Sequence, residues 1–201
     1  MLIEQSADQL MRLHAEHGRE GWDWFEPWLA YDNARLPEAL MRSGLALDRK
    51  EAIDIGLSTL DWLVRHQTGP RGQFRPVGCK GFGRSYAPPL AFDQQPLEAT
   101  ATIDAAAAAH RASGAIRWRR VARDSFSWFF GGNDARTPLA DVGQGGCCDG
   151  LMATGINRNQ GAESILSLHL AALTMQEAFG ERNQAGQQDG IAAEARALAA
   201  S

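Results

Sequence analysis

The sequence predicts an all-α fold in which helical hairpins stack into an α/α toroid. Three observations lead there. Apolar residues recur at helical spacing in several segments. No alternating apolar-polar stretch of strand length stands out. One pattern occurs three times, as Tyr31-Asp-Asn-Ala-Arg-Leu-Pro-Glu-Ala39, Phe92-Asp-Gln-Gln-Pro-Leu-Glu-Ala99 and Asn157-Arg-Asn-Gln-Gly-Ala-Glu-Ser164. Each copy sets Asp or Asn beside an amide, then Glu and a small residue where a helix begins. Its glutamates, Glu38, Glu98 and Glu163, are spaced by 60 and 65 residues.

The elements follow in order. Residues 4–17, with Leu10, Leu13 and His14 on one side, read as a first helix ended by Gly18 and Gly21. An aromatic loop, Trp22-Asp-Trp-Phe-Glu-Pro-Trp28, leads to a short helix through Leu36-Pro-Glu-Ala-Leu-Met41 that stops at Gly44. Pro37 stands in its first turn, where proline is tolerated. Residues 49–66 form the cleanest amphipathic helix, with Ile53, Leu57, Leu60 and Val64 on one face and charged residues on the other. Residues 68–89, rich in glycine and proline, read as a long loop of the kind that is usually functional or disordered.

The next helix, 94–110, is small-sided, and its alanines place it inside the fold. A two-faced helix spans 116–130, with Arg117, Arg119, Arg120 and Arg123 outward. A Gly- and Asp-rich loop, 131–157, feeds a helix at 160–179 whose run from Ile165 to Met175 is apolar enough to be buried. The domain therefore covers 1–180, and 181–201 is a polar linker followed by a weak Ala-rich helix. Trp62 and Trp128, near the ends of the two amphipathic helices, belong to the core.

Bulk properties remove whole classes of function. With 201 residues the chain is long enough for one sizeable core. A net charge of −4 gives no basic field for nucleic acid or an anionic membrane. No apolar run approaches a transmembrane length, and the polar N-terminus has no signal-peptide pattern. Three cysteines, two of them adjacent, form no disulfide framework, so a cytoplasmic setting is expected. Cys147-Cys148 with His169 matches no standard ligand spacing, so neither metal nor cofactor is expected.

In a toroid with the buried helices inward, the polar clusters around Tyr31, Phe92 and Asn157 emerge at one mouth. The candidate catalytic carboxylates there are Asp149, Glu98 and Asp93. Asp149 is the most distinctive, because it lies in a Gly-rich loop and the matching loop of the earlier copy carries Lys80. Glu98 and Glu163 have the plainer reading of first-turn acids favoured by the helix dipole. Asn159, Gln160 and Gln94 would orient sugar hydroxyls, and Trp24, among Trp22, Phe25 and Trp28, would stack on a pyranose face. Arg35, Arg75 and Arg84 sit in mouth loops, where a guanidinium suits an anionic sugar or a phosphate.

Trp24-Phe-Glu26 with Tyr31-Asp-Asn33, Phe92 to Ala99, Gly145-Gly-Cys147, Asp149-Gly150 and Asn159 to Ser164 together resemble a known helical domain. It is the domain attached to some bacterial group 1 glycosyltransferases, itself similar to six-hairpin glycosidases and sugar 2-epimerases. The resemblance covers roughly residues 20–180. It implies a carbohydrate-active or saccharide-binding module, with possible glycoside hydrolysis or sugar isomerisation at the mouth carboxylates. It also adds Glu26, Tyr31, Asp32, Asn33, Arg35, Gln95, Asn157 and Glu163 to the residues facing a saccharide. The Rossmann-like transferase domains are absent, so transferase activity does not carry over. About six or seven helices are readable against twelve in a full toroid, which implies its C-terminal part only. Cys148 stands where that family's loop has an aromatic. The alternative is a non-catalytic interaction module, with a second copy or a glycosyltransferase covering the apolar flank of the open ring.

Overall fold

The computed structural model describes residues 2–180. They are mostly helical, with six α-helices: α1 (Leu2–His17), α2 (Arg35–Leu47), α3 (Lys50–His66), α4 (Pro96–Ser113), α5 (Arg117–Ser127) and α6 (Ala162–Phe179). The segment 181–201, expected to be a linker and weak helix, lies outside the described residues.

The helices form two layers. α4 packs between α2 and α6, while α3 lies against α2 and α4, α5 against α4 and α6, and α1 against α2 and α3. Side-chain contacts give α2, α4 and α6 a common direction. At one end Glu98, in the first turn of α4, meets the loop before α2, and Glu163, in the first turn of α6, meets Tyr31. At the other end a groove is lined by Arg42 and Leu45 of α2, Ala107 and Arg111 of α4, and Glu177 of α6. The three copies of the sequence pattern therefore all begin helices at the same end of the molecule.

Local chemistry accounts for the helix limits. Pro96 opens α4 at a position where its missing N–H costs nothing, and Gly114 (φ +68°) closes the helix with its N–H on the His110 carbonyl at 2.8 Å. Gly44 does not end α2, as its sequence context predicts; α2 continues to Leu47. A Cβ at Gly44 would lie 2.7 Å from Ile53 Cγ1, and one at Gly56 would lie 2.5 Å from Met41 Cγ. These glycines let α2 and α3 approach closely, and that tertiary gain outweighs the propensity cost of about 1 kcal/mol each.

The small-sided helix α4 is inside, as expected: Ala99, Ala101, Ile103, Ala105, Ala106 and Ala109 are fully buried. Its α5 and α3 neighbours supply the bulk, with Trp118, Trp62 and Leu63 buried beside Trp128, Phe129, Trp24 and Phe25. Two expectations need correction. The loop 131–157 carries short strands, β1 (Ala140–Asp141) paired with β2 (Gly146–Cys147) and β3 (Gly150–Met152) paired with β4 (Gly155–Asn157), both antiparallel. Strands this short leave no readable alternation. The apolar helix α6 is not buried all round: Leu166, Leu170 and Leu173 are 58%, 42% and 53% exposed.

Candidate functional site

The loop before α2 is the hub of the end at which α2, α4 and α6 begin. Asp32 adopts a left-handed conformation (φ +57°), and the Asn33 side chain closes the turn on both backbone groups of Ala30, at 2.9 and 2.7 Å. This geometry aims the Asp32 and Asn33 N–H groups at α4. There Glu98, fully buried, accepts from Asp32 N at 2.5 Å and from Asn33 Nδ2 at 3.1 Å. Burial pushes the Glu98 carboxyl up to about 7, against the pull of these donors toward the ionised form.

Tyr31, on the same loop, is half exposed and donates its hydroxyl to Glu163 Oε2 at 2.7 Å. Burial, then the Glu163 carboxylate, push the Tyr31 phenol up to about 12. Arg35 opens α2 and binds Glu38 at 2.8 Å and Asp104 of α4 at 2.7 Å, with Asp32 at 3.4 Å. Thr174 of α6 donates to the same Asp104 at 2.6 Å, so one polar chain links α2, α4 and α6. Burial raises the Asp32 carboxyl despite the neighbouring Arg35.

Asp149 reaches α6 from the loop between β2 and β3. Its carboxylate accepts from Gly161 N at 2.6 Å, Ser164 Oγ at 2.7 Å and Asn159 Nδ2. Those groups include an otherwise orphaned N–H at the helix start, so Asp149 acts as a cap from outside the helix. Desolvation opposes ionisation here, but the hydrogen bonds from Ser164, Gly161 and Asn159 outweigh it and hold the carboxyl below the usual range. Such a group is a poor proton donor near neutrality.

The remaining residues divide into exposed and structural. Asn159 and Gln160 are exposed, and Gln95, Asn157 and Glu26 are half-buried; Glu26 offers its carbonyl to Trp22 Nε1 at 2.8 Å. Asp93 lies 3.5 Å from Lys80. Trp24 is fully buried and stacks on Trp62 with ring centres 5.6 Å apart, so it is not a sugar platform. The loop aromatics Trp22 and Phe25 are buried with it, leaving Trp28 exposed. Gln94 is fully buried too and cannot orient a ligand. Its amide donates to Ala91 O and Asp134 Oδ2, and its oxygen accepts Trp128 Nε1 at 2.7 Å. Neither Arg75 nor Arg84 is a free anion site: Arg75 forks onto Asp134 at 2.8 and 2.7 Å, and Arg84 binds the Pro88 carbonyl. Arg35 is likewise committed to carboxylates.

Two nodes were not singled out from sequence. Asp134 ties Arg75, Gln73 and Gln94 into one cluster, and Asp104 ties Arg35 to Thr174. Asp104 directly precedes the alanine run 105–109 of a small-sided, inward helix, where a lone carboxylate needs a partner, and that was the available signal. Cys147 is buried, which pushes its thiol up to about 12, and His169 Nε2 faces the Gly145 carbonyl at 3.1 Å. No helix among the described residues is long and apolar enough to cross a membrane. No family model and no curated protein matches the chain.

Proposed function

We propose that the chain is an incomplete α/α-toroid module that binds a saccharide at this mouth without cleaving it. One observation carries the preference for binding over hydrolysis. Each carboxylate singled out for catalysis is engaged by the protein: Glu98 by the Asp32–Asn33 turn, Asp149 by the start of α6, Asp93 by Lys80. Glycoside hydrolysis needs one carboxylic acid able to protonate a leaving group and a second carboxylate facing it across the bond. Asp149 is held ionised, and Glu98, the one with a raised pKa, has no exposed surface.

The groups that remain for a ligand are hydrogen-bonding ones: the exposed Tyr31–Glu163 pair, the Asn159 amide oxygen (its nitrogen serves Asp149), the amides of Gln160 and Gln95, and the ring of Trp28 as a stacking face. Alternating hydroxyl donors and acceptors of a sugar suit such a rim, and aromatic faces accept its C–H groups.

The test is an oligosaccharide screen read for both binding and turnover. Binding without turnover is expected, with Tyr31→Phe and Asn159→Ala each weakening it by about tenfold, a hydrogen bond's worth. Release of reducing ends by the parent protein, abolished in Asp149→Asn, would refute the binding-only reading. Absence of binding to any glycan would refute the saccharide reading itself.

A further inference from the structure

Where α2, α4 and α6 end, they enclose a groove of about 540 Å³. The alanine run of the sequence accounts for it. α4 packs between α2 and α6, and it offers only the methyl groups of Ala107 and Ala108 as the floor. Leu45 of α2 and Ala178 of α6 continue this apolar surface onto the two walls. A groove of that size, apolar with a few charged groups around it, has the dimensions and lining of a ligand pocket.

The charges are divided across the groove. Arg42 stands on α2 and Arg111 on α4, whereas Glu177 stands on α6. Arg42 is held by Glu38 at 2.8 Å while its side chain stays exposed. Arg111 and Glu177 are exposed and have no ion-pair or hydrogen-bond partner among the described residues. The three helix ends add a partial negative charge of about one half each, which the arginines offset. The groove is thus close to neutral, with its positive groups on α2 and α4 and its carboxylate on α6. Neither a simple anion nor a simple cation matches that division; a ligand carrying both charges does.

We propose that this groove binds a short apolar peptide by its two free ends. The carboxylate end lies between Arg42 and Arg111, where guanidinium groups form charge-assisted hydrogen bonds with it, and the ammonium end meets Glu177. Small aliphatic side chains rest on the alanine floor, and the peptide's amides face the open side and stay hydrated. Spacing selects a peptide over a free amino acid. α2 and α6 each pack on α4, at about 8–10 Å between axes, and do not pack on each other. The charges on the two walls therefore stand further apart than the ~3.5 Å that one residue spans, whereas three residues span roughly 10 Å. The groove lies at the opposite end of the helices from Tyr31 and Glu163, and neither this reading nor the saccharide reading depends on the other.

The test is a titration of the isotopically labelled full chain with the peptide Ala-Leu-Ala, followed by amide NMR shifts. Saturable shifts at Ala107, Ala108 and residues 177–178 are expected, with half-saturation on the order of 1 mM. Acetylating the amino end or amidating the carboxyl end should each weaken binding by about tenfold, as should Glu177→Gln and Arg111→Gln. Both side chains are exposed, so these variants keep the fold, and their own spectra check that. No saturable shift up to about 10 mM, a blocked peptide that binds as well as the free one, or undiminished binding by the two variants would each overturn the inference. None of the three results touches the saccharide reading.

Discussion

Replacing Glu98 with glutamine tests the buried contact between α4 and the loop before α2, and it does so through the sign of a pH dependence. Glu98 is fully buried, and its carboxyl is pushed up to about 7 from an ordinary 4.5. Between those two values the unfolded chain has released the proton while the folded chain retains it. Stability therefore falls as pH rises through this window, opposite to the behaviour of a salt-bridged carboxylate. The shift is about 2.5 pH units, and at 1.36 kcal/mol per unit it amounts to about 3 kcal/mol. Glutamine mimics the protonated acid at every pH. The stability of Glu98→Gln minus that of the parent should thus be small near pH 4.5 and rise by about 3 kcal/mol towards pH 8. Urea unfolding followed by tryptophan fluorescence measures both proteins at each pH, and taking the difference cancels contributions from the distant Asp134 and Asp149. A difference that stays flat would refute burial as the dominant influence on Glu98. A difference that falls with pH would mean that the N–H groups of Asp32 and Asn33 hold the carboxylate ionised, and that solvation of the buried charge was overvalued.

Three further outcomes follow from contacts elsewhere. Asp149→Asn removes a charged cap from the start of α6 and should cost about 1–2 kcal/mol; hydrogen exchange should quicken at residues 161–165 while α3 is unaffected. Asp134→Ala strips partners from Arg75, Gln73 and Gln94 together and should cost about 3 kcal/mol in urea, far more than a surface charge. Burial opposes ionisation of Asp134, but hydrogen bonds from Arg75 and Gln94 outweigh it and hold the carboxyl below its usual range, so its contribution is present above about pH 4 and is lost as pH falls further. Gly56→Ala places a Cβ 2.5 Å from Met41 Cγ and 3.0 Å from the Pro37 carbonyl, so α2 and α3 must separate, at about 1–3 kcal/mol in thermal unfolding.

Helices were legible where one face carries the pattern, as in α3, where Asp54 and Ser58 are exposed and Leu60 is buried. Ile53, Leu57 and Val64 are nevertheless only half-buried there, and the buried face is centred on Ala52, Gly56, Thr59 and Leu63. What eluded the sequence were features set by a distant neighbour. Gly44 looks like a stop signal, yet its hydrogen atom is there because Ile53 sits opposite. Trp24 and Trp28 share one aromatic loop and the same residue type; burial separates them, because only Trp24 has Trp62 to stack on. The apolar run in α6 is uniform enough to suggest burial, but only one side of the helix meets α4 and α5. Asp149 was legible as unusual. Its task was not, because Ser164 and Gly161 come near it only once the hairpin β3–β4 has folded back.

The three repeated glutamates show how far a sequence repeat constrains function. Glu38, Glu98 and Glu163 all occupy the first turn of their helices, α2, α4 and α6, where the dipole favours an acid. Their partners nevertheless differ. Glu38 lies between Arg35 and Arg42, Glu98 is sealed under the Asp32–Asn33 turn, and Glu163 stands exposed and takes the Tyr31 hydroxyl. Strict repetition would have Glu163 hold the loop before α4 in the way that Glu98 holds the loop before α2. Instead both reach the single loop 31–33, and Asp149 secures the start of α6 from its own hairpin. A repeat of equivalent helices has thus become asymmetric at its mouth. Substituting Glu98 should loosen the loop from beneath, whereas substituting Glu163 should alter only what the loop presents to a ligand.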